Sequence, residues 1–195
     1  ADLVQTPTGE WYAVFLGCRP YEDSFFNTGR ETFLAPVRWE NEWPVITEGN
    51  ETVKYFYPLP SIAPNKKENN FLNGNFVYKD DFTGPVLDNR FMFLRTVTDQ
   101  WYSTSERKGF LSLQLRPEII SGTGNPSLVA HRQQHNKCTA TTSLEFNTNA
   151  ENEKAGLIIF QSEHHFYYLC QSLADGKAVV QLYRSTNNKE MELLI

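Results

Sequence analysis

Cysteine is scarce in this sequence. The three present in 195 residues, Cys18, Cys138 and Cys170, are too few and too widely spaced for a disulfide scaffold or a paired-cysteine zinc site. Positive charge is also short. Lys and Arg number 18 against 23 Asp and Glu, a net charge of −5, and no basic block interrupts the chain. Affinity for nucleic acid comes mostly from neutralising phosphates, so no nucleic-acid partner is expected. Long apolar runs are absent. The longest, such as Gly156-Leu157-Ile158-Ile159-Phe160, fall far below the roughly 18–20 residues that span a membrane, so no membrane partner is expected. The chain opens at Ala1 without a charged-then-apolar leader, so no targeting segment is expected in it. No apolar period of 3.6 residues is sustained beyond about three turns, which argues against long amphipathic helices.

What is present is apolar and aromatic. Hydrophobic residues make up 40% and aromatics 14%, too much for a disordered chain. Short runs rich in Val, Ile, Thr and aromatics recur between turn signals, as half-buried strands should. Trp11 to Leu16 is one, entered from the turn Pro7-Thr8-Gly9. Glu31 to Trp39 is another; it breaks at the polar turn Glu40-Asn41-Glu42 and resumes at Trp43-Pro44-Val45-Ile46. Further strands are predicted over 91–95, 110–115, 127–132, 139–146, 155–161, 166–172 and 177–184. Asp175-Gly176 between the last two predicts a type I′ hairpin turn. The pattern is that of an all-β sandwich, barrel or propeller.

Residues 57–75 hold three Pro and five Asn. Pro withdraws backbone donors and Asn and Gly favour turns, so this stretch predicts a linker. The expected organisation is a piece over 1–56, a linker over 57–75 and a β domain over 76–195. The first piece is small for an independent β domain.

Several motifs carry a resemblance. Ala1-Asp2-Leu3-Val4, Gly9-Glu10-Trp11-Tyr12 and Leu16-Gly17-Cys18-Arg19-Pro20 are followed by Gly29-Arg30-Glu31-Thr32-Phe33-Leu34-Ala35-Pro36-Val37 and Trp43-Pro44-Val45. Together they resemble the last blade of the five-bladed β-propeller of family 43 glycoside hydrolases, of the β-xylosidase and α-L-arabinofuranosidase type. Asp80-Asp81-Phe82, Leu87-Asp88, Phe91 to Arg95, Arg132-Gln133-Gln134-His135, Ala140-Thr141-Thr142, Ala155 to Ile158 and Tyr167-Tyr168 resemble that family's C-terminal sandwich. The resemblance implies an all-β fold: a concanavalin-A-like β-sandwich (jelly roll) preceded by the final propeller blade. It also implies a chain cut at both ends, with the sandwich incomplete at its C-terminus.

An inverting glycosidase needs a carboxylic acid and an ionised carboxylate on opposite sides of the bond. By resemblance these groups, and a third carboxylate that tunes the acid, lie upstream of Ala1. No catalytic residue is therefore expected here, and Asp2, Glu10, Asp23 and Glu31 match no catalytic motif. The resemblance implies that Arg30 faces the central funnel, contacts sugar hydroxyls and keeps the general base ionised. Its five donors in a fixed fork suit that task. The residue-level alternative is an ion pair with Glu31 or another surface acid. The implied partner is a xylo- or arabino-oligosaccharide. No cofactor is implied.

The remaining candidates read as structural. His131, His135 and Cys138 could ligate a metal only on a helix, and their flanks read as strand, where i and i+4 lie about 13 Å apart. His164-His165 reads as an exposed turn, and Cys18 as a small core or rim residue. Asp80-Asp81 could hold a structural Ca²⁺, although polar residues at the start of a strand explain them too. Trp101, Tyr102 and Tyr168 could stack on a sugar, but core filling is the simpler reading. Apolar strand faces leave a homo-oligomer open.

Overall fold

The computed structural model describes residues 1–62, 74–186 and 190–195. Most of the stretch expected as a linker, over 63–73, lies outside the described residues. The described chain contains strands and no helix. It forms two compact units. One comprises Ala1–Tyr78 together with Gln133–Cys138, the other Lys79–Arg132 with Thr139–Ile195.

The first unit is built on one antiparallel meander: β1 (Asp2–Gln5), β2 (Trp11–Cys18), β3 (Arg30–Glu40) and β4 (Trp43–Val45), side by side in chain order. This is the four-stranded form of which propeller blades are made. The turn into β2 closes as expected, with Gly9 N donating to Thr6 O at 3.0 Å and Gly9 at φ +88°. Between β3 and β4 only Asn41 and Glu42 turn, at φ 49° and 67°. Two positive φ values in a two-residue loop match the right-handed strand twist. Glu40, expected in that turn, is the last residue of β3.

Small residues let the middle of this sheet close. Ala13 and Ala35 face each other across the β2–β3 ladder, and both are buried. Phe15 and Phe33, also directly opposite, stack at 5.8 Å with planes 14° apart. Trp11 meets Trp39 edge to face at 5.4 Å. Leu16, Leu34 and Val4 stay exposed on the other side of the sheet.

The second unit carries β5 (Phe91–Phe93), β6 (Tyr102–Ser103), β7 (Ser112–Leu113), β8 (Val129–His131), β9 (Ala155–Ser162), β10 (His165–Ala174), β11 (Lys177–Thr186) and β12 (Glu192–Leu193). Strands β5 and β8 pair, as do β6 and β7, and a four-stranded antiparallel sheet runs β12-β11-β10-β9. Alternation along β10 decides which face is buried. Phe166, Tyr168 and Cys170 point inward and pack against Ile158, Phe160, Tyr183 and Ile120. Tyr167 and Leu169 point outward. The Asp175-Gly176 turn joins β10 to β11 at φ 50° and 70°, the expected type I′ geometry.

A second cluster centres on Trp101, which is fully buried. Its indole meets Phe93 at 90° and 5.6 Å and donates through Nε1 to Asn125 Oδ1 at 2.8 Å. Asn125 in turn donates to Leu94 O, so the buried polar pair is satisfied.

One expected strand does not form. Residues 139–146 carry strand-like composition but join no strand ladder among the described residues, and most of them are exposed. Composition supplies the propensity for a strand, whereas a ladder needs a partner edge.

Candidate functional site

The start of β3 gathers the polar chemistry of the first unit. Gly29, at φ +70°, turns the chain into the strand in a region that side-chain-bearing residues rarely adopt. Arg30 and Glu31 follow, opposite Cys18 and Gly17 of β2. Successive strand residues point to opposite faces, so these two oppositely charged neighbours are separated by the sheet.

Glu31 is bound on its own face by Arg19. Arg19 Nε donates to Oε2 at 2.7 Å and Nη2 to Oε1 at 2.8 Å. Thr28 Oγ1 adds a third donor to Oε2 at 3.1 Å. A two-pronged guanidinium–carboxylate contact is among the stronger charge-assisted hydrogen bonds. The Arg19 hydrogen bond is the main cause that holds the Glu31 carboxyl below its ordinary range, and burial opposes it. The same bond raises Arg19.

Arg19 also donates through Nη2 to the carbonyl of Gln134 at 2.8 Å. Asn27 donates to Asn136 O at 3.1 Å. His135 Nε2 lies 2.9 Å from Gly74 O, and its ring meets Phe76 at 5.5 Å. Segment 133–138 is therefore fastened at three successive residues to stretches more than 60 positions away.

Arg30 takes no part in this network. Its side chain is exposed and makes no hydrogen bond or ion pair among the described residues. The ion pair with Glu31 that sequence reading left open does not form, because alternation puts Arg30 on the opposite face of the sheet, and Arg19 binds the carboxylate on its own face. Arg30 shares its face with Leu16, Leu34 and Val4. An always-charged fork of five donors thus stands free beside apolar surface.

An open cleft of the first unit lies at the other end of β3. It has a volume of about 410 Å³ and is lined by Pro36, Arg38, Glu48, Lys54 and Tyr57 among others. Arg38 is already paired there with Glu40 and Glu48 at 2.6 and 2.9 Å. Arg30 is not part of it.

Other candidates settle into structural roles. Trp101 and Tyr168 are buried and face the core, which removes them as sugar platforms; Tyr102 packs on Phe93 at 4.8 Å. His131 sits in β8 of the second unit and His135 and Cys138 belong to the first. Among the described residues no three His, Cys, Asp or Glu side chains gather as a metal-holding group. His164 lies in the exposed turn between β9 and β10, and His165 opens β10, also exposed. Asp80 accepts from Phe82 N at 2.8 Å and Asp81 pairs with Lys79 at 2.7 Å. Glu10 accepts from Thr8 and from Ser61 N. Cys18 is exposed at the end of β2, a rim residue and not a core one, because the strand's last residue lies beyond the packed centre of the sheet.

Sequence reading missed Arg19, Asn27 and Gln134 as partners. Arg19 and Gln134 stand inside quoted motifs, but 115 positions separate them and nothing local joins them.

Comparison with known proteins bears on this geometry. The family model described as the beta xylosidase C-terminal concanavalin A-like domain of GH43 matches residues 79–194. A xylosidase/arabinosidase of Butyrivibrio fibrisolvens is 38% identical over 174 residues, which are 87% of this chain and 32% of that protein. A non-reducing end alpha-L-arabinofuranosidase of Bacteroides ovatus is 32% identical over 197 residues, 98% of this chain and 35% of that protein. Among solved structures, the Bacteroides ovatus xyloglucan-locus GH43B protein superposes with a TM-score of 0.78 at 26% identity, over 98% of this chain and 36% of its own. A GH43_12 protein from a capybara gut metagenome gives 0.78 at 35% identity, over 93% and 35%. The chain spans about a third of the length of the curated relatives it matches.

Proposed function

This chain belongs to the family of GH43 beta-xylosidase C-terminal concanavalin A-like domains, and from that membership we propose that it is the C-terminal portion of a glycosidase acting on β-xylosides or α-L-arabinofuranosides. The observation that carries the reading is continuity. A single alignment with an arabinofuranosidase runs through 98% of the chain, so the meander of the first unit and the sandwich of the second recur together in such enzymes.

In this reading β1–β4 are the final blade of a five-bladed propeller, and the acid and base carboxylates belong to blades outside these 195 residues. The parent hydrolyses its substrate with inversion: a protonated carboxyl donates to the leaving oxygen, and an ionised carboxylate activates water on the opposite face. Arg30 binds substrate. Its guanidinium donates to sugar hydroxyls and lowers the pKa of the adjacent base, which must stay ionised to accept a proton. The exposed, unpaired side chain supports this role.

A sandwich that binds glycan without chemistry has less behind it. The outward face of β9–β11 carries Leu157, Ile159, Leu169 and Val180 with one aromatic, Tyr167. That composition suits apolar packing better than sugar stacking.

Hydrolysis of p-nitrophenyl β-xyloside and p-nitrophenyl α-L-arabinofuranoside tests the proposal. The full-length enzyme containing this chain is expected to turn over at least one, and the 195-residue chain neither. Turnover by the chain alone would place the acid and base within it. Inactivity of the full-length enzyme on xylosides and arabinofuranosides alike would overturn the glycosidase reading.

A further inference from the structure

The residues flanking Arg30 are held by one network. Asn27 binds Asn136 O, Thr28 and Arg19 both bind Glu31, and Arg19 binds Gln134 O. Arg19 directly follows Cys18, which stands opposite Arg30 in the β2–β3 ladder. The backbone that presents Arg30 is thus fixed from both sides, by Glu31 immediately after it and by the end of β2 across from it. The long Arg30 side chain itself has no hydrogen-bond or ion-pair partner among the described residues, so the direction in which its fork points is set by that backbone.

We propose that Glu31, acting through Arg19 and segment 133–138, is a positioning residue that sets the placement of the Arg30 guanidinium. The proposal rests on the reading of Arg30 as a substrate-binding residue. Glu31 faces away from Arg30 across the sheet. Its contribution is to hold the start of β3 and the end of β2 in one register. Misplacing a binding group by about 1 Å can cost up to about a hundredfold in rate. Arg19 must offer two parallel N–H groups to Glu31 and a further one to a carbonyl, which a lysine ammonium cannot do in that geometry.

A double-mutant cycle in the full-length enzyme tests this, with Arg30→Ala, Glu31→Gln and the double variant, and with Arg19→Lys alongside. Arg30→Ala is expected to lower kcat/KM by about a hundredfold, and Glu31→Gln and Arg19→Lys each by about tenfold. The double variant is expected to be no worse than Arg30→Ala, because the benefit of Glu31 passes through Arg30. A merely structural role would instead give losses that multiply, and that result overturns the proposal while leaving the substrate role of Arg30 intact. Wild-type kcat/KM in both Glu31→Gln and Arg19→Lys would overturn it in the same limited way, as would loss of the folded state in both. Wild-type kcat/KM in Arg30→Ala would overturn the substrate role and the positioning role together.

Discussion

Arg19 grips Glu31 with two parallel hydrogen bonds of 2.7 and 2.8 Å, while the adjacent Arg30 has no acid partner among the described residues. Arg19 reaches the carboxylate because it lies on the same face of the sheet, and alternation puts Arg30 on the other.

The pair makes stability depend on acid pH in a defined direction. Arg19 holds the folded-state pKa of Glu31 below its unfolded value of about 4.3. The stabilisation is therefore complete above the unfolded pKa and is lost as pH falls through the folded one. Both side chains retain about a quarter of their exposure, so solvent screening keeps the effect to about 1 kcal/mol. Melting temperature followed from pH 7 down to pH 2 should fall more steeply in the wild type than in Glu31→Gln. Parallel curves would show that the pair contributes nothing to folding.

Gly156 marks the tightest approach in the second unit. It stands opposite Cys170, and a Cβ there would lie 2.0 Å from Leu169 O and 2.6 Å from Cys170 Cα. Both obstacles are backbone, so no side-chain adjustment relieves them. Gly156→Ala is expected to destabilise the sandwich by about 3 kcal/mol, at the upper end for overpacking, because β9 must move off β10. Urea denaturation followed by the fluorescence of the buried Trp101 would measure it. An unchanged midpoint would mean that the two strands are not so closely paired.

Glu42 is a side-chain-bearing residue held at φ 67° in the second position of a type I′ turn. Asn-Gly is the favoured pair in such turns. Glu42→Gly is expected to stabilise the first unit by about 1 kcal/mol, since a left-handed backbone costs roughly 1–2 kcal/mol for residues with a Cβ. A raised melting temperature would agree; a lowered one would show that the Glu42 side chain earns its place by a contact.

The three thiols should separate in reactivity. Cys18 and Cys138 are exposed, while Cys170 is buried against Phe166 and Tyr168, and desolvation pushes its thiol pKa up. A thiol reagent applied to the native chain should modify two cysteines quickly and the third only on unfolding. Rapid reaction of all three would mean that the β9–β11 face opens readily.

Much of the fold was legible because its signals are local. The Asp175-Gly176 hairpin follows from one residue that tolerates αL and one that prefers it. The strand over 166–172 was expected from its aromatic and apolar run, whereas Tyr167 and Leu169 are apolar too, so the choice of Phe166, Tyr168 and Cys170 as the buried face was made by packing. Residues 139–146 show where local reading fails, since propensity cannot supply the neighbouring edge that a strand must bond. The candidate site divides in the same way. The motif around Arg30 singled it out as a candidate, whereas the pairing of its neighbour Glu31 depends on Arg19 twelve positions away and on a carbonyl 115 positions from Arg19.

The order of amino acids alone establishes an all-β chain, its turns and the family likeness. These follow from backbone dihedral preferences and the two-residue period of a strand, which neighbouring residues settle among themselves. The assignment of Arg19 to Glu31, the attachment of Gln133–Cys138 to the first unit and the burial of Trp101 were decided only on folding. Each depends on groups far apart in the chain meeting at hydrogen-bonding or van der Waals distance, and short-range pattern carries no record of such meetings.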